Sequence, residues 1–298
     1  VLSAFGSVQR QLSVIINNYM TIADWRAVVQ RLSEFASAAK LVRPIGITRE
    51  EILARAAELG GLALTDIAAG AQHSAPGPEV PRDVRVVRRE KRAVRVHGLQ
   101  LCLPNGHPLF RDLDMEVRPG ERVLIMGPSG TGKSTLLRAI RGLWPFGKGK
   151  IELPNSPIVF VAQRPYMPLG SLRECVVYPL SANDIDPVVV QALLTQVDLH
   201  QFLPLLDERR SWGREMSLGE QQRIAFARVL LQKPQWIFLD ESTSALDGPA
   251  EQKLYETLRT SLPNAAIISV GHRDSLVQLH DRRVELFPMS TADAAPGL

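Results

Sequence analysis

The chain has 298 residues, 45% of them apolar, enough for one large domain or two modest ones with an ordinary core, so intrinsic disorder is not the default. Its formal net charge of +4 makes no case for nucleic acid, because the basic residues are spread out except between Arg82 and Arg95. Two cysteines, Cys102 and Cys175, exclude a disulfide framework and a zinc cluster, and no apolar run reaches the roughly 18 residues that a membrane-spanning helix needs.

The opening "VLSAFGSVQRQ" lacks the basic start and apolar stretch of a signal peptide, and it begins with Val, as an excised piece of a longer polypeptide would. From Leu12 to about Lys40 the apolar residues Leu12, Ile15, Ile16, Tyr19, Ile22, Trp25, Val28, Val29, Leu32 and Phe35 recur at helical steps and predict one long amphipathic helix. At 1.5 Å per residue it would extend roughly 40 Å, more than a small domain covers, so it is expected to pack on something outside this chain. A surface helix folded back on the core is the alternative. Thr48 with Glu51 then marks a helix start that Gly60 and Gly61 end. Residues 70–81 have linker composition. "RDVRVVRREKRAVRV" brings seven basic and two acidic residues, expected as a solvated strand edge, with contact to anionic lipid head groups as the other reading.

Beyond Ala93 short runs such as "AVRVHGLQL", "RVLIM", "PIVFVAQ", "QWIFLD" and "AAIISVGH" read as strands, several of them continuous apolar runs of the kind that buried parallel strands show. They alternate with helices expected at 133–142 and 220–231, which predicts an α/β domain over 93–288, a linker over 41–92 and a loose tail over 289–298.

Within that domain Gly127, Pro128, Ser129, Gly130, Thr131, Gly132, Lys133, Ser134 and Thr135 spell "GPSGTGKST", a phosphate loop entered by a strand and left by a helix. Its glycines let backbone amides turn inward around a phosphate, Lys133 should reach the β and γ phosphates, and the Ser134 hydroxyl should ligate Mg²⁺. About a hundred residues on, "WIFLDES" ends an apolar strand on Asp240 and Glu241, one suited to hold Mg²⁺ through water and the other to polarise the attacking water. In "EMSLGEQQR" Ser217 and Glu220 form a capping box that opens a helix.

In order and spacing these residues resemble the ATP-binding cassette (ABC) family: "GPSGTGKST" looks like its Walker A, "VAQRP" its Q-loop with Gln163, "MSLGEQQR" its signature, "WIFLDES" its Walker B, "SALD" its D-loop with Asp247, and "VGH" its switch histidine, His272. The resemblance implies a P-loop NTPase with a RecA-like core, an antiparallel β subdomain and a helical subdomain. It implies ATP with Mg²⁺ held by Ser134, Gln163 and Asp240, Glu241 as general base, Gln163 sensing the γ-phosphate, and His272 holding phosphate and water in line. A second copy would face the first, so that Ser217, Gly219 and Asp247 act across the dimer.

"GLWPFGKGKIELP", "AQRPYMPLGSLRECVVYP" and "SLGEQQRIAFARVLL" are similar to the subfamily of peroxisomal fatty-acyl transporters and their bacterial relatives, which include importers of peptides or cobalamin-like compounds. There, six membrane helices precede the ATPase on one chain, and residues 1–40 resemble the cytoplasmic extension of the last. Localisation at the cytoplasmic face of the inner membrane is therefore implied, with a transmembrane domain as partner and no nucleic acid. Two departures stand out. Met216-Ser217-Leu218-Gly219-Glu220 replaces the usual L-S-G-G-Q, and "LCLPNG" offers Leu103 where many relatives stack an aromatic on adenine. The rival expectation is a soluble ABC ATPase serving as a mechanical or regulatory module. Such proteins usually carry two cassettes or a coiled-coil insertion, and neither is read here. A degenerate cassette that binds ATP without turning it over conflicts with the joint presence of Glu241 and His272.

Overall fold

The computed structural model describes residues 80–90 and 93–288, all within one contact unit, Ser74–Leu298. The expected helix over 12–40, the cap at Thr48 and Glu51, the stop at Gly60 and Gly61, and the tail over 289–298 lie outside the described residues.

Three strands come first, β1 (Arg82–Arg89), β2 (Val94–Cys102) and β3 (Pro108–Val117), followed by β4 (Arg122–Met126) and α1 (Lys133–Ile140). Then β5 (Gly147–Pro154), β6 (Ile158–Val161) and the two-residue β7 (Gly170–Ser171) precede α2 (Leu172–Val177) and α3 (Pro187–Gln196). The chain continues through the short β8 (Arg209–Arg210), α4 (Trp212–Glu215), α5 (Leu218–Gln232), β9 (Trp236–Asp240), α6 (Gly248–Ser261), β10 (Ala266–Val270) and β11 (Arg282–Glu285).

One sheet has the order β1-β5-β2-β3. β2 pairs antiparallel with β3 and β5, whereas β1 runs parallel to β5 from Arg82 opposite Gly147 to Arg89 opposite Pro154. The first part of the basic run, Arg82–Arg89, is thus an edge strand, as expected, whereas Arg95 lies on the interior strand β2; the full pairing of β1 with β5 carries the folded unit back to Arg82, ahead of the boundary placed at 93. The charges of β1 are partly answered inside the chain: Arg85 pairs with Asp83 at 2.8 Å and Arg89 stands 3.9 Å from Glu152.

The second sheet, β11-β4-β10-β9-β6, is parallel throughout. It lies between two apolar clusters, and the two-residue period of a strand decides which cluster each side chain enters. Leu124, Ile237, Leu239 and Ile267 pack on the side of α2, α3 and α5, while Val123, Ile125, Trp236, Phe238 and Ile268 pack on the side of β2, β3 and α1. Phe160 and Phe238 stack there with centroids 4.6 Å apart. Burial on both faces explains why these strands read as unbroken apolar runs. Cys102, at the end of β2, and Cys175, on α2, are both buried, and burial pushes the Cys175 thiol up to about 11.

Candidate functional site

Parallel pairing fixes where the strands deliver their polar ends. Val270 on β10 is level with Ile125 on β4 and Asp240 on β9, and Val161 on β6 is level with Leu239. The residues that follow, Gly127, Glu241, Gln163 and His272, therefore leave the sheet along one carboxyl-terminal edge, where open α/β sheets bind their ligands.

Between β4 and α1 the backbone turns through Gly127, Gly130 and Gly132 at φ of 150°, 83° and 90°. A Cβ on Gly127 would stand 2.2 Å from the carbonyl oxygen of Leu286, and one on Gly132 would stand 3.1 Å from Leu109 Cδ1. Gly127→Ala is therefore expected to lose at least about 2 kcal/mol of stability, since it meets both a forbidden φ and a rigid backbone atom. A urea midpoint equal to the parent's would contradict this.

In front of Gly130 there is open space, and Gly132 caps α1 without a side-chain acceptor, which leaves the first amides of the helix for an external one. Pro128 and Ser129 are exposed, Thr135 is half-buried, and Thr131 Oγ1 braces the loop by donating to Pro128 O at 2.9 Å. Lys133 is 7% exposed, and its ammonium donates to the carbonyls of Gly127 and Pro128, both at 2.8 Å. Ser134 Oγ donates to Asp240 Oδ1 at 2.7 Å. Burial, with the charge of Glu241 adding, pushes the Asp240 carboxyl above its ordinary range, while the Ser134 hydrogen bond, Arg138 and Lys133 oppose the shift. A partly desolvated carboxylate beside a hydroxyl suits a hard divalent cation, and free amides beside a buried ammonium suit a phosphate chain.

Glu241 sits at the left-handed φ of 47°. Its amide donates to Val270 O at 3.1 Å and its carbonyl accepts from Ser244 N at 3.0 Å. A non-glycine residue persists there only where neighbours over-determine it, and the conformation aims the carboxylate off the strand end. Gln163 Nε2 donates to Glu241 Oε2 at 3.0 Å, and His272 Nδ1 stands 3.9 Å from Glu241 Oε1. The structure thus joins Gln163, Glu241 and His272 in one group, next to the Ser134–Asp240 pair.

Among the described residues Ser217, Gly219 and Asp247 make no side-chain hydrogen bond to that group. Ser217 caps α5 through the expected capping box, and Glu220 Oε2 accepts from both the amide and the hydroxyl of Ser217 at 2.8 Å. The charge of Glu220 is thereby engaged with the start of its own helix. Asp247 caps α6 by accepting from Ala250 N at 2.9 Å. Ser217 and Asp247 are exposed, and among the described residues no hydrogen bond links these three to the phosphate loop. Leu103 packs partly buried against the second apolar cluster.

Gln222 escaped the sequence reading. Fully buried on α5, it donates from Nε2 to Gln163 O at 2.9 Å and Ser244 Oγ at 3.3 Å, and its Oε1 accepts from Ala245 N at 3.1 Å. Arg228, six residues on, donates to Cys175 O at 2.9 Å and Tyr166 O at 2.8 Å, so it fastens the segment after Gln163, and burial pulls its guanidinium below the usual range. In the sequence both look like ordinary helix polar residues, with nothing in their local pattern to single them out.

Residues 110–244 match the model of the ABC transporter family. An ABC transporter ATP-binding protein of Synechocystis is 38% identical over 288 residues, 95% of this chain and 39% of that protein. ABC transporter D family member 2, chloroplastic, of Arabidopsis thaliana is 32% identical over 345 residues, 98% of this chain and 46% of that protein. Human ATP-binding cassette sub-family D member 3 is 39% identical over 197 residues, 63% of this chain and 30% of that protein. The chain therefore spans less than half the length of each of these relatives.

Proposed function

Because residues 110–244 carry an ABC transporter domain and the relatives are ABC transporter ATP-binding proteins and D family members, we propose that this chain is the ATP-hydrolysing part of a membrane transporter and works as a pair of copies. The observation that carries the reading is the meeting of Gln163, Glu241 and His272 beside a glycine phosphate loop at one sheet edge. Phosphoryl transfer asks a protein chiefly for positioning and charge neutralisation, and this edge supplies both.

In the proposed mechanism the loop amides and Lys133 hold the β and γ phosphates. Ser134 and Asp240 would hold Mg²⁺, which when bound neutralises phosphate charge. Gln163 and His272 orient a water whose oxygen attacks the γ-phosphorus while the bond to the leaving ADP oxygen breaks. Glu241 takes the proton that this water loses, and its hydrogen bond from Gln163 holds the carboxylate in place for that transfer. The exposed Ser217 and Asp247, with the half-buried Gly219, would complete the site of a second copy.

Mixing two inactive variants tests the pairing. Lys133→Ala lacks a working phosphate loop and Ser217→Arg lacks a working signature. If each site is built from two chains, a mixed dimer regains one intact site, and the mixture should recover about a quarter of parent ATPase activity. No recovery above the separate variants would mean that each chain completes its own site.

For the membrane assignment, no helix among the described residues is long and apolar enough to cross a bilayer, so the span would come from outside them. The reading expects the native protein to need detergent for extraction. Complete release by a salt wash would favour the soluble ATPase instead.

A further inference from the structure

The turn after Glu241 is gripped by a residue that the mechanism above does not use. Arg273 follows His272 directly, and its guanidinium donates from Nη1 to Leu246 O and from Nη2 to Ser244 O, each at 2.7 Å. The same Nη1 lies 3.7 Å from Oε1 of Glu251, a carboxylate on the first turn of α6 that is 1% exposed. Glu251 Oε1 accepts from Thr243 Oγ1 at 2.6 Å, and Oε2 accepts from Ser275 Oγ at 2.8 Å. Asp247 caps the same helix, with its carbonyl accepting from Glu251 N at 2.9 Å.

A buried carboxylate is costly unless its charge and lone pairs are answered. Here two hydroxyls, one guanidinium and the helix N-terminus answer it. Arg273 cannot swing away without leaving Glu251 short of its counter-charge and two turn carbonyls without a donor. The loop 272–275 is consequently tied to the turn 242–247 directly at Arg273 and, through Glu251 and Thr243, at Ser275; Glu241 precedes that turn and Asp247 ends it. His272 itself is exposed and stands 3.9 Å from Glu241, beyond hydrogen-bond distance, and among the described residues its side chain makes no hydrogen bond that would fix that separation.

We propose that Arg273 and Glu251 are positioning residues whose pairing sets His272 relative to Glu241 and keeps Asp247 in register with both. This rests on the ATPase reading given above. Neither residue touches the nucleotide in this scheme; the turn is the anchor, and the effect on rate passes through His272. Misplacing a catalytic group by about 1 Å can cost on the order of a hundredfold in rate without loss of binding, which is the signature a purely structural brace would not give.

The test measures kcat and KM for Mg·ATP in the full chain, nucleotide affinity by equilibrium titration, and thermal unfolding. Arg273→Ala should lower kcat about 30-fold with KM and affinity within about threefold of the parent. Arg273→Lys keeps the charge but not the two-pronged grip, and should recover part of that loss. In a His272→Ala background the further loss from Arg273→Ala should fall below about twofold, because the brace acts through a histidine already gone. Should Arg273→Ala fail to fold, Glu251→Gln, which keeps the shape and removes the charge, should still lower kcat about fivefold at unchanged affinity. An active parent whose Arg273→Ala variant stays within twofold, or loses the full factor again without His272, overturns the brace alone. A parent with no ATPase activity overturns the functional reading and the brace with it.

Discussion

Glu241→Gln is expected to bind ATP as tightly as the parent and to hydrolyse it about a thousandfold more slowly, within the range that a positioned general base contributes. The substitution is nearly isosteric, and the amide oxygen can still accept the hydrogen bond that Gln163 Nε2 now gives to Glu241 Oε2 at 3.0 Å. The left-handed turn at φ 47° depends on backbone bonds to Val270 and Ser244, which the change leaves intact. Only the capacity to take a proton disappears. With ATP held and not consumed, the variant should also accumulate as a nucleotide-bound dimer on size-exclusion chromatography. Single-turnover hydrolysis at near-parent rate would remove Glu241 from its assigned role.

The second large effect is on binding itself. Lys133→Ala should weaken ATP affinity by about a hundredfold or more, in line with the loss of a buried charged partner. Two terms oppose each other in the parent. The ammonium must give up two carbonyl acceptors at 2.8 Å to reach a phosphate, and hydrogen bonds to charged groups are worth roughly 1.5–3 kcal/mol each. It gains in exchange a multiply charged phosphate chain at a site that is 93% withdrawn from water at this side chain, since Lys133 is 7% exposed. The charge neutralisation wins because the amides of the loop carry only partial charges. Fluorescence titration with Mg·ATP reads the result, and an unchanged affinity would remove the phosphate-loop assignment.

How much of this was legible in the residues themselves depended on distance along the chain. "RVLIM" and "WIFLD" were readable as strands and match β4 and β9, because burial on both sheet faces leaves only apolar side chains. The capping box at Ser217 was readable because it is local. "AVRVHGLQL" was readable as a strand but not as an antiparallel one, since composition carries no direction. Nor could the basic run be matched to β5, about 65 residues ahead, whose side chains do not advertise a parallel neighbour. Gln222 and Arg273 work through hydrogen bonds to backbone carbonyls 59 and 27 residues away, and a carbonyl is present whatever the residue type. The phosphate loop, by contrast, needs glycines where φ is positive, so its geometry is written in residue identity.

The all-parallel pairing of the second sheet also divides the surface into two ends with different tolerance for change. The segments entering the strands, such as Pro119–Gly120 before β4 and Asn264 before β10, sit at the opposite end from Glu241 and His272. A tag or fluorescent insertion placed there lengthens the chain without shifting any strand register. One residue inserted on the other side, between Val270 and His272, would displace the histidine by about 3.3 Å, the rise per residue of a strand. For anyone building reporters or circular permutants from this scaffold, the amino-terminal rim of the sheet is the place to cut.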